Sequence, residues 1–532
     1  MKLTRNKEKY ESRAKSIFNI FKKNGLSGLV ALVVALMLGL NGCGNSKDTA
    51  SEKVDHELTF NWDNIEYVSK TDLSIQICPE PPMRRGHPAS KNIYKALRNS
   101  KVNYARLQPW YPFPRLGVAE LEPPKDGKTS WDFTVIDPIV IDFFEASEGR
   151  PVMVDFSTIP QWMIVTDKPV KYPDDPNEIA WDYSPGNQFR DTTLTEIVDY
   201  YHRLLSWYTK GGFTDEYGKY HKSGHHYKID YWEVLNENDQ DTQHLFSPEQ
   251  LTKIYDAIVA DLSKLNPYMK FSGLALAFPE KGDQYVSYFL DPKNHKPGIP
   301  VDMFSYHQYI GSADKEWKKD SVELEKQKYA YFESIDNFLK TVKRLDSIKQ
   351  RIAPKTKTYI NELGSLPPGD VADPKVVIPD FYWTLSSAMF AYAYVGIAKT
   401  GIDLLAIAEL IDYPGQFAGT TIIHWDTGIP NARYWGMKLL RDNFGPGDKL
   451  VESGPQHIDL LSQGFISPKG IKKVLLVNKT GHLVNVSVPG ADGAEMEYVD
   501  LSTGSKPAAI KNLTTDFVEL QSHAVAVVKF KN

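Results

Sequence analysis

From about residue 70 the chain alternates short apolar runs with stretches in which apolar residues recur every three to four positions. The apolar runs cover 73–77, 102–106, 151–155, 229–235, 271–277, 302–306, 357–361 and 404–410, and their length predicts strands. Helical periodicity covers 91–100, 133–148, 194–210, 327–350, 380–400 and 432–443. A further helix opens at Ser247-Pro248-Glu249-Gln250. There a serine cap, a proline in the first turn and a glutamine three residues past the serine form a capping box. Strands separated by helical crossovers pair in parallel, and eight of them predict an α/β fold closed as a (β/α)8 barrel over residues 70–446. The rival is an open doubly wound sheet. That arrangement calls for a glycine-rich phosphate loop after the first strand, and here the chain reads Cys78-Pro-Glu-Pro-Pro82.

Past Gly445-Pro446-Gly447 the texture changes to short alternating strands, such as 474–477, 484–488, 517–520 and 524–530, with no helical period. Residues 447–532 therefore predict a small β-sandwich, with Lys479-Thr480-Gly481 as a hairpin turn. The segment 58–69, ahead of the barrel, is free to add a strand to it.

The first 42 residues have a different character. A basic stretch ending at Lys22 and Lys23 runs into fifteen mostly apolar residues, 26–40, too few to span a bilayer comfortably, and then Leu40-Asn41-Gly42-Cys43. This resembles a bacterial lipoprotein signal. The expectation is cleavage before Cys43, acylation of that cysteine, and a polar tether over 43–57 holding an exported protein to the outer membrane or cell surface. The only other cysteine is Cys78, so no disulfide is expected. Residues 1–42 carry eight Lys/Arg and two Glu, so their removal shifts the formal charge from −5 to −11. A protein that acidic, with no basic run, is a poor partner for nucleic acid.

Catalytic groups of such barrels sit at the C-terminal ends of the strands. The fourth strand ends Trp232-Glu233-Val-Leu-Asn236-Glu237 and the seventh ends Tyr359-Ile-Asn361-Glu362, so two carboxylates face one mouth from nearly opposite sides. A lone strand-end glutamate is usually a surface or ion-pair residue. A pair suits glycosidic cleavage, in which one carboxyl protonates the leaving oxygen while the other attacks the anomeric carbon. An aromatic content of 12% suits sugar faces, although most such rings pack in cores. The cluster His221, His225 and His226 shares its spacing with no cysteine or acidic ligand and reads as a surface loop, so no metal and no cofactor is expected.

The strand-four and strand-seven glutamates resemble the signature of the clan A glycoside hydrolases. Within that clan the chain is most similar to glycoside hydrolase family 39, the β-xylosidases and α-L-iduronidases. The similarity runs through most of 95–445 and rests on Asn103-Tyr-Ala-Arg106, Trp131-Asp-Phe-Thr-Val-Ile-Asp137, Asp302-Met-Phe-Ser-Tyr-His307-Gln308-Tyr309 and Ile429-Pro-Asn-Ala-Arg-Tyr434. The resemblance implies a retaining enzyme with Glu237 as acid/base and Glu362 as nucleophile. It further implies that Asn236 holds the sugar's 2-hydroxyl, that His307 and Tyr309 orient the nucleophile, and that Arg106 lies beneath Glu362. Gln108, Trp110, Trp162, Trp425 and Asp412 lie where they would line the sugar site.

Four departures bear on substrate rather than on machinery. Asn238 stands where proline is usual, Leu363-Gly364 where tryptophan is common, and Gln108 where a histidine is expected. Strand eight, Ala406-Ile-Ala-Glu409, lacks a tryptophan. The expected substrate is an oligo- or polysaccharide of neutral sugars cut by an exo-acting, β-xylosidase-like pentosidase. The competing expectation is a carbohydrate-binding lipoprotein on a barrel without catalysis.

Overall fold

The computed structural model describes residues 53–370 and 375–531. The expected signal (1–42), the acylation site Cys43 and the tether up to residue 52 lie outside the described residues.

Eight parallel strands close into a barrel: β1 (Asp72–Ile77), β2 (Tyr104–Leu107), β3 (Val152–Val154), β4 (Tyr231–Val234), β5 (Lys270–Leu276), β6 (Met303–Gly311), β7 (Lys357–Leu366) and β8 (Leu404–Ile407). Each pairs with its neighbours in chain order, and β8 closes on β1 through Leu404 opposite Asp72. Helices α1 (Ser90–Ser100), α2 (Ile136–Ser147), α3 (Thr195–Thr209), α4 (Pro248–Leu265), α5 (Asp283–Leu290), α6 (Ser321–Ile352), α7 (Asp380–Ala398) and α8 (Ala432–Asn443) follow the strands one for one. This is the (β/α)8 architecture that the pattern predicts.

The differences have local causes. Helix α5 escapes the periodicity because it has only eight residues, half of them aromatic or β-branched, and no side-chain cap. Helix α6 begins six residues before its apolar stripe does, because the Asp320 carboxylate accepts the backbone N–H groups of Val322 and Glu323, each at 3.0 Å. The capping box at Ser247 is formed from both sides, by Gln250 N–H to Ser247 Oγ (3.2 Å) and Ser247 N–H to Gln250 Oε1 (2.9 Å).

Inside the barrel the side chains form tiers. Met153, Tyr231, Met303, Tyr359, Leu404 and Ala406 make an apolar floor. Above it lie Gln76, Arg106, Glu233, Ser272, Ser305 and Asn361, all buried and polar. The strand faces that meet the helices are apolar, so the strands read as nearly continuous apolar runs while their axial face is not.

A seven-stranded antiparallel sheet and a three-stranded sheet face each other across an apolar core that includes Val474, Leu476, Val486, Val518 and Val528. Phe60–Val68 forms one edge of the larger sheet, paired with Lys449–Ser453. Lys479-Thr480-Gly481 is not a hairpin turn. Lys472–Asn478 belongs to the large sheet and Val484–Ser487 to the small one, so the turn crosses between them. Asn478 holds the crossing, its side-chain NH2 donating to the carbonyls of His482 (2.6 Å), Leu520 (3.0 Å) and Gln521 (2.9 Å). The sandwich meets the barrel at α6, where Glu325 Oε2 accepts the N–H of Gly481 at 2.8 Å.

His523 is fully buried at this junction beside Phe332 of α6, and neither ring nitrogen has a partner among the described residues. Burial, aided by nearby Lys328, holds its pKa down at about 3. The unfolded chain takes up that proton at about pH 6.5, so the stability His523 contributes is complete above that pH and is lost as pH falls toward 3. The residue sits at a φ of 50°, which asparagine tolerates. His523→Asn is therefore expected to lose less of its urea midpoint than the wild type between pH 7.5 and pH 5. Equal losses would show that His523 is not an acid-labile point.

Candidate active site

The alternation of a strand sends consecutive side chains to opposite faces, yet Asn236 and Glu237 both turn into the barrel, as do Asn361 and Glu362. Two backbone irregularities explain this. After β4 the chain passes through left-handed conformations at Leu235 (φ 65°) and Glu237 (φ 56°), and the N–H of Glu237 is fixed to the Ala275 carbonyl at 3.0 Å. Left-handed non-glycine residues are costly and are held by their surroundings. In β7 a register shift against β6 pairs Tyr306 with Ile360 but His307 with Glu362, a bulge that turns both Asn361 and Glu362 toward the axis.

Arg106 lies at the centre, with no exposed surface. Its Nε donates to Glu233 (2.6 Å), Nη1 to Gln76 and Glu362 (both 2.7 Å), and Nη2 to Asp155 (2.9 Å) and Asn236 (2.8 Å). These five bonds use all five N–H donors of the guanidinium. Burial opposes its charge, but Glu233, Glu362 and Asp155 more than offset this and hold its pKa well above the ordinary arginine value. Asp155 is pushed well above the usual carboxylate range by burial, against the pull of Arg106. Glu233 also accepts from Ser272 (2.9 Å), Ser305 and Asn361 (3.0 Å).

Above this tier the two glutamates converge. An oxygen of Glu237 lies within 4.8 Å of one of Glu362. Nδ1 of His307 stands between them, 3.1 Å from Glu237 Oε1 and 3.3 Å from Glu362 Oε2. Burial keeps His307 below its ordinary pKa despite the attraction of Glu362, so the ring is neutral near pH 7. Tyr309 donates its hydroxyl to Glu362 Oε2 at 2.6 Å. Glu237 Oε2 accepts from the side-chain amides of Gln240 (2.8 Å) and Gln243. Oxygens of both glutamates and the His307 nitrogen are close enough to surround a cation. Each carboxylate oxygen already has a donor, however, and the Arg106 guanidinium lies 2.7 Å from Glu362, which opposes a metal.

The site opens into a cavity of about 900 Å³, counting the space open to solvent. Cys78, Gln108, Asn236, Gln308, Tyr309 and Glu409 give it polar walls, while Trp110, Phe278 and Phe417 give it aromatic ones. Asn236, Tyr309, Gln108 and Trp110 thus gather around the two glutamates, and Arg106 and His307 lie beneath them.

Three expected sugar contacts fall elsewhere. Trp162 does not line the cavity: its indole N–H donates to the Glu120 carbonyl at 3.0 Å and Arg190 covers its face. Asp412 does not line it either. Its carboxylate accepts from the N–H groups of Tyr413 (2.8 Å) and Phe417 (3.2 Å) and from Thr420 Oγ1 (3.1 Å), so it shapes the loop after β8 instead of meeting a ligand. Trp425 packs against the main core. In the histidine loop, His221 bonds Asp215 (2.7 Å) while His225 faces Asp137 (3.4 Å).

The departures from the family pattern acquire reasons. Asn238 is buried and donates its side-chain NH2 to the Gln243 carbonyl, pinning the loop that brings Gln240 and Gln243 to Glu237. Gly364 has no room for a side chain, since a Cβ there would lie 2.6 Å from the Tyr309 ring. Gln108 accepts from Gln76 (3.2 Å) and Cys78 (3.1 Å) and donates to Ser157 (2.9 Å). The sequence pattern missed Gln76, Glu233, Gln240, Gln243 and Glu409. Only Glu409, a charged residue ending an apolar run, carried a visible signal.

No protein-family model matches the chain, and no curated protein matches it. Its fold does match solved structures. One is a glucosidase from Croceicoccus marinus, at TM-score 0.57 and 14% identity, covering 90% of this chain and 99% of that one. Another is a GH51 α-L-arabinofuranosidase from Thermotoga petrophila, at 0.57 and 14%, covering 89% and 100%. A GH30 endoxylanase from Clostridium papyrosolvens follows at 0.53 and 12%, covering 90% and 100%. The likeness is one of fold. At such identities it shows that the barrel and sandwich are shared and carries nothing about family or activity.

Arg106 gives the site its sharpest stability test. Arg106→Met removes the cation from among three buried carboxyl groups, and breaking a buried ion pair from one side costs about 3–5 kcal/mol. The urea midpoint should fall by a corresponding amount at pH 7. A loss below about 1 kcal/mol would mean that the network is not held by this charge.

Proposed function

We propose that the protein is a retaining glycoside hydrolase with Glu362 as nucleophile and Glu237 as acid/base. The observation that carries this reading is the approach of the two carboxylates to within 4.8 Å at the mouth of the barrel. Retaining enzymes hold their carboxyl groups about 5 to 5.5 Å apart, whereas inverting ones leave about 6.5 to 9.5 Å for a water.

In this mechanism the anomeric carbon sits over Glu362. One oxygen of Glu362 is anchored by Arg106 and the other by Tyr309, so the carboxylate is held in place for attack. Glu362 forms the bond to the anomeric carbon as the bond to the leaving oxygen breaks, and Glu237 gives that oxygen its proton. Gln240 and Gln243 both donate to Oε2 of Glu237 and His307 Nδ1 lies 3.1 Å from its Oε1, which fixes the carboxyl group for this transfer. Glu237 then takes a proton from water, whose oxygen displaces Glu362 and frees the sugar with its anomeric configuration retained. The carbonyl oxygen of Asn236 is taken by Arg106, so its NH2 is the group available to the sugar's 2-hydroxyl, where a hydrogen bond strengthens as positive charge develops.

A pentoside substrate and exo action are the finer part of the proposal. They draw support from the family-39 motifs and from the aromatic walls of Trp110, Phe278 and Phe417, which suit a sugar face. Export and anchoring through Cys43 rest on the basic and apolar segment ahead of it.

The test is a screen of aryl glycosides and plant-wall oligosaccharides with the anomer of the first product followed by NMR. Retention of configuration is expected. Glu362→Gly should abolish turnover, and added azide should restore it as a glycosyl azide of inverted configuration. Binding of glycan by the wild type without turnover would sink the proposal in favour of a carbohydrate-binding lipoprotein. For the anchor, Cys43→Ala should shift the protein from the membrane fraction to the soluble one, and an unchanged distribution would remove Cys43 from that role.

A further inference from the structure

The pocket contains an acidic residue that the proposed chemistry does not use. Glu409 lies two residues past β8, is 5% exposed, and lines the same cavity as Glu237 and Glu362. Its backbone is fixed by its own N–H to the Thr420 carbonyl (2.7 Å) and by the N–H of Ile422 to its carbonyl (2.9 Å). Its Oε2 accepts the backbone N–H of Cys78 at 3.2 Å, and its carboxyl hydrogen-bonds that of Asp412. Asp412 is buried and accepts from three further donors of its own. Burial, then the facing Asp412, raises Glu409 well above the usual carboxylate range. The pocket therefore presents a carboxyl group on a backbone fixed from both sides, lining the cavity beside the two glutamates.

The balance of charge around it restricts what can bind. Four carboxyl groups line the cavity, those of Glu237, Glu280, Glu362 and Glu409, and none of the lining residues is lysine or arginine. Arg106, beneath Glu362, has spent all five of its donors, and the buried Arg433 donates to the backbone carbonyls of Ala408, Gly419 and Thr421. A sugar bearing a carboxylate would enter with no counter-ion, and burying an unpaired charge is costly. A sugar hydroxyl, by contrast, carries no charge to bury and can donate to the carboxyl group of Glu409 that lines the cavity.

Building on the glycosidase reading, we infer that Glu409 is the specificity-determining residue of the pocket. It accepts a hydrogen bond from a ring hydroxyl of the sugar whose anomeric carbon faces Glu362, and with its neighbours it excludes uronic acids.

The experiment compares kcat/KM for a neutral aryl glycoside that the enzyme turns over, its full set of monodeoxy analogues and the matching uronide. It uses the wild type, Glu409→Ala and Glu409→Gln. Wild type should prefer the parent to one monodeoxy analogue by roughly 10- to 100-fold, the effect of one buried hydrogen bond. In Glu409→Ala that preference should collapse toward one while preferences at the other hydroxyls persist. A purely structural role would lower all substrates together and leave every ratio in place. Glu409→Gln keeps both the bond to Asp412 and the acceptor oxygen, so it should retain the preference. Wild-type turnover of the uronide should be at least 100-fold below the neutral glycoside.

Turnover of the parent with unchanged ratios in Glu409→Ala would overturn the inference alone. So would a wild type that discriminates at no hydroxyl, a result that needs no variant to fold, or one that accepts the uronide equally well. Failure of the wild type to cleave any glycoside would overturn the glycosidase reading and this inference with it.

Discussion

The guanidinium of Arg106 is the interaction on which the rest of the site depends. It reaches from β2 to Gln76 on β1, Asp155 just past β3, Glu233 and Asn236 around β4, and Glu362 on β7. One rigid fork thus ties five strand ends to a common centre. A lysine has three rotatable donors on a flexible stem and could not satisfy this set. Because the network lies in a dry tier above the apolar floor, each bond is stronger than it would be in water, and each missing partner would be more costly.

The second requirement is geometric. A regular strand would have sent one member of each Asn-Glu pair out among the helices. The left-handed residues around Glu237 and the bulge ahead of Glu362 bring both members to the axis, and neither device is paid for locally. The Ala275 carbonyl, the loop stapled by Asn238 and the pairing with β6 hold them in place. The absence of a side chain at Gly364 serves the same end, since it lets Tyr309 lie flat against β7 and reach Glu362.

Electrostatically the site is layered. Beneath the glutamates lies positive charge, paired with carboxylates; around them lie carboxyl groups, of which Glu409 is held well above the usual carboxylate range by burial and by the facing Asp412. A pocket of this kind can hold two acidic groups for chemistry and still admit a substrate, provided that the substrate brings hydroxyls and no negative charge. The loop after β8 links the two functions, because Asp412 both faces Glu409 and fixes the N–H of Phe417, an aromatic wall of the same cavity.

Periodicity and strand-end position by themselves determined the barrel, the sandwich after it and the pair of glutamates, because buried parallel strands and amphipathic helices write their burial into local sequence. Arg106, His307 and Tyr309 came into view only through the resemblance to family 39, which implied places for them beside Glu362. Periodicity and position did not separate Trp110, which faces the cavity, from Trp162, which packs away from it, nor did they show that Asp412 serves Glu409 and not a ligand. They placed a hairpin at Lys479-Thr480-Gly481 where the chain changes sheets. Such choices depend on residues far apart in sequence: Cys78 and Glu409 are brought together only when β8 closes on β1, and Gln243 meets Glu237 only through a loop fold. The sequence determined which elements form, since that is decided by neighbours along the chain. The tertiary structure decided which side chains share a pocket, since hydrogen bonds, proton sharing and steric room are set by neighbours in space.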